Sequence, residues 1–166
     1  YMVKKSLKPL CEGKSPKEIL NLKIADIACG SGVFLLEAFD FLIQYCKNWY
    51  ENSDKKHLIV GQDGKRKLSF KDKKEILNSC IYGVDIYPNA VEVAKFSLYL
   101  KLLEDETKPS LNNKKQLLPT LDNNIKPGNS LIDFDHIKYY KISDVEKKEL
   151  FPFDWNFGNN VESFDA

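Results

Sequence analysis

Two stretches of the 166-residue chain carry residue types that suit the binding of a small ligand. Asp26 opens the run Asp-Ile-Ala-Cys-Gly-Ser-Gly, in which Gly30 and Gly32 would let backbone approach a ligand and expose helix N–H groups. Asp85 ends a second apolar run, and its carboxylate could accept two hydrogen bonds from the vicinal hydroxyls of a ribose. Either feature alone is typical of an ordinary turn, but their occurrence after two successive predicted strands favours a binding site.

The surrounding sequence predicts strands that alternate with helices. The predicted elements are two short helices before residue 23, a strand over 23–28, a helix over 33–50, a strand over 81–85, a helix over 88–104 and a strand beginning at 125. This order predicts an α/β fold with a parallel sheet and right-handed crossovers. Such sheets bind ligands beyond the carboxyl ends of their strands, where Asp26 and Asp85 fall.

Charge divides the chain into segments of different character. Residues 54–74 carry an excess of five positive charges around a predicted hairpin at Asp63-Gly64, and residues 133–166 carry an excess of four negative charges. The basic segment could touch DNA phosphates, but a solvated hairpin is the favoured interpretation. We predict one domain, with N-terminal helices over 1–22, strand–helix units over 23–132 that include the insertion near 54–74, and an acidic segment over 133–166.

The composition excludes several classes of protein. With a net charge of +1 and no apolar stretch near the roughly 20 residues that cross a bilayer, we expect a soluble, cytoplasmic protein. The only arginine, Arg66, leaves little capacity for reading guanine edges. No metal site is expected because no CxxC pair occurs among the cysteines and histidines, which are Cys11, Cys29, Cys46, Cys80, His57 and His136.

Two further motifs have simple interpretations. A nicotinamide dinucleotide loop would need a third glycine where Leu35 stands. Gly13-Lys14-Ser15 lacks the upstream glycine of a phosphate-binding loop, so it is interpreted as a turn followed by a helix N-cap.

Three motifs together resemble one family of enzymes. The run from Asp26 to Leu35, Asp-Ile-Ala-Cys-Gly-Ser-Gly-Val-Phe-Leu, resembles the D-P-A-C-G-S-G-x-F-L motif of DNA adenine-N6 methyltransferases, especially the methylase parts of bacterial restriction-modification enzymes. It departs only at Ile27, where the family usually has proline. The runs Ile-Tyr-Gly-Val-Asp-Ile at 81–86 and Ile-Lys-Pro-Gly-Asn-Ser-Leu-Ile at 125–132 are similar to the family's second and third motifs. The resemblance covers most of the chain and implies a Rossmann-like methyltransferase fold.

The resemblance implies S-adenosylmethionine as the cofactor. Gly30 and Gly32 would flank its methionine portion, with Asp26 near the ammonium group. Asp85 would hold the ribose hydroxyls, Ile86 would lie against the adenine ring, and Asn129 would lie by the adenine amino group. The remaining residues expected at the cofactor are Ala28, Cys29 and Phe34. By the same resemblance, the aromatic segment at 151–157 is expected to pack over the sheet edge. His136, next to Asp135, has no nucleophile partner in the sequence pattern and is expected at the surface.

The family's catalytic loop, Asn-Pro-Pro-Tyr or Asn-Pro-Pro-Phe, does not occur in residues 1–166. In relatives this loop follows a strand that begins like Phe-Asp-Ala-Val-Ile-Gly, and this sequence ends with Phe164-Asp165-Ala166. We therefore expect an inactive fragment of a DNA methyltransferase with no catalytic residue of its own, whose parent acts on double-stranded DNA. The alternatives are a protein-glutamine or RNA amine methyltransferase, and a non-catalytic nucleoside-binding module.

Overall fold

The computed structural model describes residues 2–61, 64–106, 118–133, 137, 139–140 and 142–154. Its elements are α1 (Met2–Cys11), α2 (Pro16–Ile19), β1 (Ile24–Asp26), α3 (Val33–Glu51), a 3-10 turn (Lys55–His57), β2 (Leu58–Val60), β3 (Arg66–Leu68), α4 (Phe70–Cys80), β4 (Ile81–Asp85), α5 (Pro88–Leu103), β5 (Ile125–Pro127) and α6 (Asp144–Leu150). His136, Asp63, Trp155 and Phe157, which carry sequence expectations, lie outside the described residues.

A parallel sheet forms the centre of the fold. β4 lies between β1 and β5, with Ile24 opposite Ile81 and Gly83 opposite Ile125. All five residues of β4 are buried, which explains its nearly continuous apolar sequence. The predicted α/β fold with a parallel sheet is confirmed.

Two long helices supply the crossovers and the core. α3 packs against β1 and β4, whereas α5 packs against β4 and β5. Both helices turn apolar side chains at helical spacing toward the sheet and toward each other. The fully buried residues of these two helices include Leu35, Ala38, Phe39, Leu42, Ala94, Leu98 and Leu102.

The sequence analysis was wrong about the extent of the first strand, and it missed two helices. The strand predicted over 23–28 ends at Asp26, because the Asp26 carboxylate accepts a hydrogen bond from the N–H of Ala28 and turns the chain there. Two helices, α4 and α6, were not predicted. They begin at serine N-caps, where Ser69 accepts from the N–H of Asp72 and Ser143 accepts from the N–H of Glu146.

The predicted basic hairpin is present as β2 and β3, which pair antiparallel. Its position is set by contacts with the C-terminal ends of α3 and α5: the ring of His57 stacks on Tyr50 with centroids 4.1 Å apart, and Lys67 pairs with Asp105 at 3.0 Å. Because α3 and α5 start beyond the carboxyl ends of β1 and β4, their C-terminal ends lie toward the opposite edge of the sheet. The hairpin therefore lies away from the predicted ligand site.

Within the described ranges, no helix is long and apolar enough to cross a membrane. The same part of the chain contains no group of three or more His, Cys, Asp or Glu side chains arranged to hold a metal ion.

Candidate functional site

The loop between β1 and α3 folds over the carboxyl end of β4. Its first turn is fixed by the Asp26 carboxylate, which accepts from the N–H of Ala28 at 3.1 Å. The next two residues then bond to β4: Cys29 donates its N–H to the carbonyl of Val84 at 2.9 Å, and Gly30 donates its N–H to Oδ2 of Asp85 at 2.8 Å. The structure thus brings together the two features that the sequence singled out.

Asp85 is the centre of this arrangement. Asp85 is only 9% exposed. One of its carboxylate oxygens accepts a hydrogen bond from the backbone N–H of Gly30, and the other accepts one from the N–H of Tyr87 at 2.9 Å. A carboxylate has about four acceptor positions, so capacity remains for a ligand's hydroxyl groups. Asp85 therefore organises the loops and keeps the acceptor chemistry that a ribose would need.

The two loop glycines have different surroundings. Both have a left-handed backbone, with φ of +53° at Gly30 and +83° at Gly32. A Cβ placed on Gly30 would meet no atom within 4 Å, whereas one on Gly32 would lie 2.9 Å from Cβ of Ala94 in α5. The space beside Gly30 is therefore open, whereas Gly32 allows the close approach of α3 and α5.

Cys29 turns its side chain inward. A Cβ on Gly83 of β4 would lie 3.1 Å from Sγ of Cys29, so the thiol fills the space that this glycine leaves. Burial, together with the smaller effects of the negative charges of Asp85 and Asp26, raises the pKa of the Cys29 thiol to about 12. The thiol remains protonated at neutral pH, so only the backbone of Cys29 is available to a ligand.

Two other predicted residues differ in exposure. Phe34 is half-buried and packs against the hydrophobic core. Ala28 is exposed, but its N–H is already bonded to Asp26.

A second loop, after β5, closes the other side of the site. The carbonyl of Asp85 accepts from the N–H of Gly128 at 2.8 Å. The next residue, Asn129, is half-buried. Its Oδ1 accepts a hydrogen bond from the N–H of Leu131 at 3.1 Å. This bond leaves one acceptor position on Oδ1 and the NH2 donors of Asn129 at the edge where the resemblance implies an adenine.

The segment that leads out of α6 supports this second loop. Asn129 and Pro152 form a parallel bridge, and Phe153 donates its N–H to the carbonyl of Ile132 at 2.9 Å. Phe153 is buried, and its ring occupies the space where a Cβ on Gly128 would lie. Of the aromatic segment that was expected to pack over the sheet edge, Phe153 does so.

Exposed apolar side chains surround the polar centre. Ile86, predicted at the adenine ring, is 41% exposed, and Tyr87 beside it is 71% exposed. Leu131, two residues after Asn129, is 81% exposed. The sequence analysis singled out neither Tyr87, which directly follows Ile86, nor Leu131. A polar centre with an apolar rim is the pattern that a nucleoside-sized ligand needs.

Other clefts of the described structure do not include the predicted site residues. One lies between α1 and α3 and is lined by residues such as Val3, Lys8 and Phe41. Another lies between the hairpin and the C-terminal end of α5, where Lys67 and Lys101 contribute. Two of its lysines pair with carboxylates, Lys67 with Asp105 at 3.0 Å and Lys101 with Asp40 at 2.8 Å.

Comparison with known proteins gives matches along the chain. The model of the Eco57I restriction-modification methylase family matches residues 79–166. The type II restriction enzyme and methyltransferase RM.Eco57I of Escherichia coli is 43% identical over 161 residues, which cover 95% of this chain and 16% of that protein. The putative type II restriction enzyme and methyltransferase RM.MjaORFECS2P of Methanocaldococcus jannaschii is 34% identical over 128 residues, which cover 76% of this chain and 10% of that protein.

The chain therefore spans about a sixth and a tenth of the length of these two relatives. The match to the family model includes β4, with Asp85 at its end, and the loop of Asn129. The identity with RM.Eco57I extends over nearly the whole chain. The resemblance stated from the motifs is confirmed, and the chain belongs to the Eco57I restriction-modification methylase family.

Proposed function

We propose that this chain is the S-adenosylmethionine-binding part of a site-specific DNA methyltransferase that methylates the N6 amine of adenine in a restriction-modification system. Family membership supports DNA methyltransferase chemistry. The single observation that carries the cofactor assignment is the bond of Gly30 to Asp85, which joins an open glycine loop to a carboxylate at the strand ends. Double-stranded DNA is then the partner of the longer protein.

The residues of the carboxyl edge fit the parts of the proposed cofactor. The spare acceptor positions of Asp85 bind the ribose hydroxyls, and exposed Ile86 lies against the adenine ring. The remaining acceptor position on Oδ1 of Asn129 accepts from the adenine amino group. The space at Gly30 receives the methionine portion, and the second oxygen of Asp26 lies toward the ammonium group.

Bound S-adenosylmethionine supplies a methyl group on a positively charged sulfur, which is electrophilic enough for transfer to an amine. The loops of this chain fix the cofactor's orientation, and orientation of the reacting groups lowers the entropic part of the barrier. The exposed side chains of Ile86 and Leu131 offer apolar surface that a bound cofactor would cover.

The acceptor amine needs a second set of contacts. An adenine amine in DNA must be flipped out of the duplex and hydrogen-bonded before it can react. The Asn-Pro-Pro-Tyr motif, which provides such contacts in the family that the sequence resembles, is not found in residues 1–166. We therefore assign cofactor binding to this chain and recognition of the target base to other residues of the longer protein.

The experiment measures transfer of tritiated methyl groups by a longer protein that contains this chain, with and without Asp85→Ala. Double-stranded DNA, RNA and a glutamine-containing peptide are offered as separate acceptors. The proposal predicts label in N6-methyladenine of DNA and its loss in Asp85→Ala.

Each other outcome points to an alternative. Label in RNA or peptide alone would identify an amine methyltransferase with a different substrate. Binding of the cofactor without transfer to any acceptor would identify a nucleoside-binding module. Label in cytosine of DNA would keep the methyltransferase and overturn the adenine assignment.

A further inference from the structure

A hydroxyl group connects the two outer loops of the site. Ser130, in the loop after β5, donates its Oγ–H to the carbonyl oxygen of Ile27 at 2.7 Å. Ile27 follows β1, and β1 and β5 lie on opposite sides of β4. The bond therefore crosses the carboxyl end of the central strand.

This bond completes a closed set of three connections. The side chain of Asp85 holds the first loop through Gly30, and the carbonyl of Asp85 holds the second loop through Gly128. Ser130 joins these loops directly to each other. Its hydroxyl thus adds a direct connection between the loops to the two connections that run through the central strand.

The separation of the loops matters because adjacent strands lie about 4.8 Å apart, so β1 and β5 are roughly 10 Å apart. A ligand with one end at Gly30 and the other at Asn129 contacts both loops, so its fit depends on their relative position. A ligand that contacts only β4 and β5 does not depend on it.

On the basis of the proposed function, we propose that Ser130 is a positioning residue that fixes the distance between the Gly30 loop and the Asn129 loop. Its hydroxyl is required for a ligand that spans both loops. It is dispensable for a nucleoside that contacts β4 and the Asn129 loop alone.

The loop after β5 has supports other than this bond. The loop after β5 is held on its other side by the bond of Asn129 N–H to the carbonyl of Phe151 at 2.7 Å and by the buried ring of Phe153. We therefore expect Ser130→Ala to fold, with a loss confined to the relative position of the two loops.

The experiment uses two probes that differ in length. S-adenosylhomocysteine has both the nucleoside and the amino-acid portion, whereas 5′-methylthioadenosine lacks the amino-acid portion. Dissociation constants of both are measured by calorimetry for the 166-residue chain and for Ser130→Ala, Ser130→Thr and Ser53→Ala. Ser53 is the matched control, because its Oγ donates to the carbonyl of Trp49 at 2.9 Å, within the turn that ends α3.

We expect Ser130→Ala to weaken binding of S-adenosylhomocysteine about tenfold and to change that of 5′-methylthioadenosine less than twofold. Ser130→Thr keeps a hydroxyl donor and should restore binding of the longer probe, and Ser53→Ala should bind both probes normally. Equal losses for both probes, no loss for either, or a Ser130→Ala chain that is unfolded by circular dichroism would overturn the positioning role. If the unmodified chain binds neither probe, the proposed function itself fails, and the role of Ser130 fails with it.

Discussion

Replacing the loop glycines with alanine, one at a time, separates packing from ligand binding. Gly30, Gly32 and the distant Gly13 all have left-handed backbones, with φ of +53°, +83° and +77°. An alanine in this conformation carries about 1–2 kcal/mol of strain. Gly13→Ala measures this strain alone, since a Cβ there would meet no atom within 4 Å.

The magnitudes follow from what each new methyl group would contact. At Gly32 it would lie 2.9 Å from Cβ of Ala94, and overpacking of this kind adds about 1–3 kcal/mol. Gly32→Ala should therefore lower the free energy of unfolding by about 2–5 kcal/mol, from the strain and the overpacking together. Gly30→Ala should lower it by about 1–2 kcal/mol, as Gly13→Ala does.

Two assays test this reasoning on the same proteins. Urea unfolding followed by circular dichroism gives the free energies, and calorimetry gives the affinity for S-adenosylhomocysteine. Gly30→Ala should lose most of the binding while remaining folded, because its methyl group enters the open space at the loop; Gly30→Val should abolish binding. Gly13→Ala should bind normally. The reasoning is refuted if Gly30→Ala destabilises the chain as much as Gly32→Ala, or if it binds as well as Gly13→Ala.

Three further predictions concern other residues of the chain. Asp85→Asn should weaken binding of S-adenosylhomocysteine by about 1.5–3 kcal/mol, the usual value of a hydrogen bond to a charged group; equal affinity by calorimetry would remove the ribose assignment. Burial raises the pKa of Cys29, Cys46 and Cys80 to about 12, so these thiols stay protonated below that pH and iodoacetamide at pH 8 should label them only in urea. Rapid labelling of the folded chain would contradict this burial. The 166-residue chain alone should transfer no tritiated methyl to duplex DNA, and incorporation above a no-enzyme blank would show that the Asn-Pro-Pro-Tyr motif is not required.

The central elements could be predicted because local sequence and tertiary environment favour the same structure. β4 has the same bounds in the sequence analysis and in the structure, Ile81–Asp85, since an apolar run that is buried on both faces has few alternatives. α3 and α5 differ from their predicted bounds by one residue at the C-terminal end. Pro88 fixes the start of α5 in both.

The missed helices show where the sequence signal was weak. α4 begins at Phe70, inside a segment that its many lysines led us to interpret as a solvated insertion. Its apolar face includes Ile76 and Leu77, which bury against the core. α6 has seven residues and none that is buried, so no periodic apolar pattern could mark it. In both helices the serine N-cap was the available signal.

The site could be predicted in its components but not in its connections. Asp85 and the glycine loop were identified by their positions after strands, yet the bond between Gly30 and Asp85 depends on how far the loop leans over β4. The different surroundings of Gly30 and Gly32 depend on Ala94, a residue of another helix. The bond of Ser130 to Ile27 joins residues 103 positions apart, which no local pattern reports.

The most direct test of the account is a nuclear magnetic resonance titration of the 15N-labelled 166-residue chain with S-adenosylhomocysteine. The account predicts saturable changes in the amide signals of Gly30, Tyr87 and Leu131, which lie after the three parallel strands. The amide of Lys67 in the hairpin should not shift. Changes confined to the hairpin or to the cleft between α1 and α3, or no change at concentrations that saturate the longer protein, would contradict the assignment of the cofactor to the carboxyl edge of the sheet.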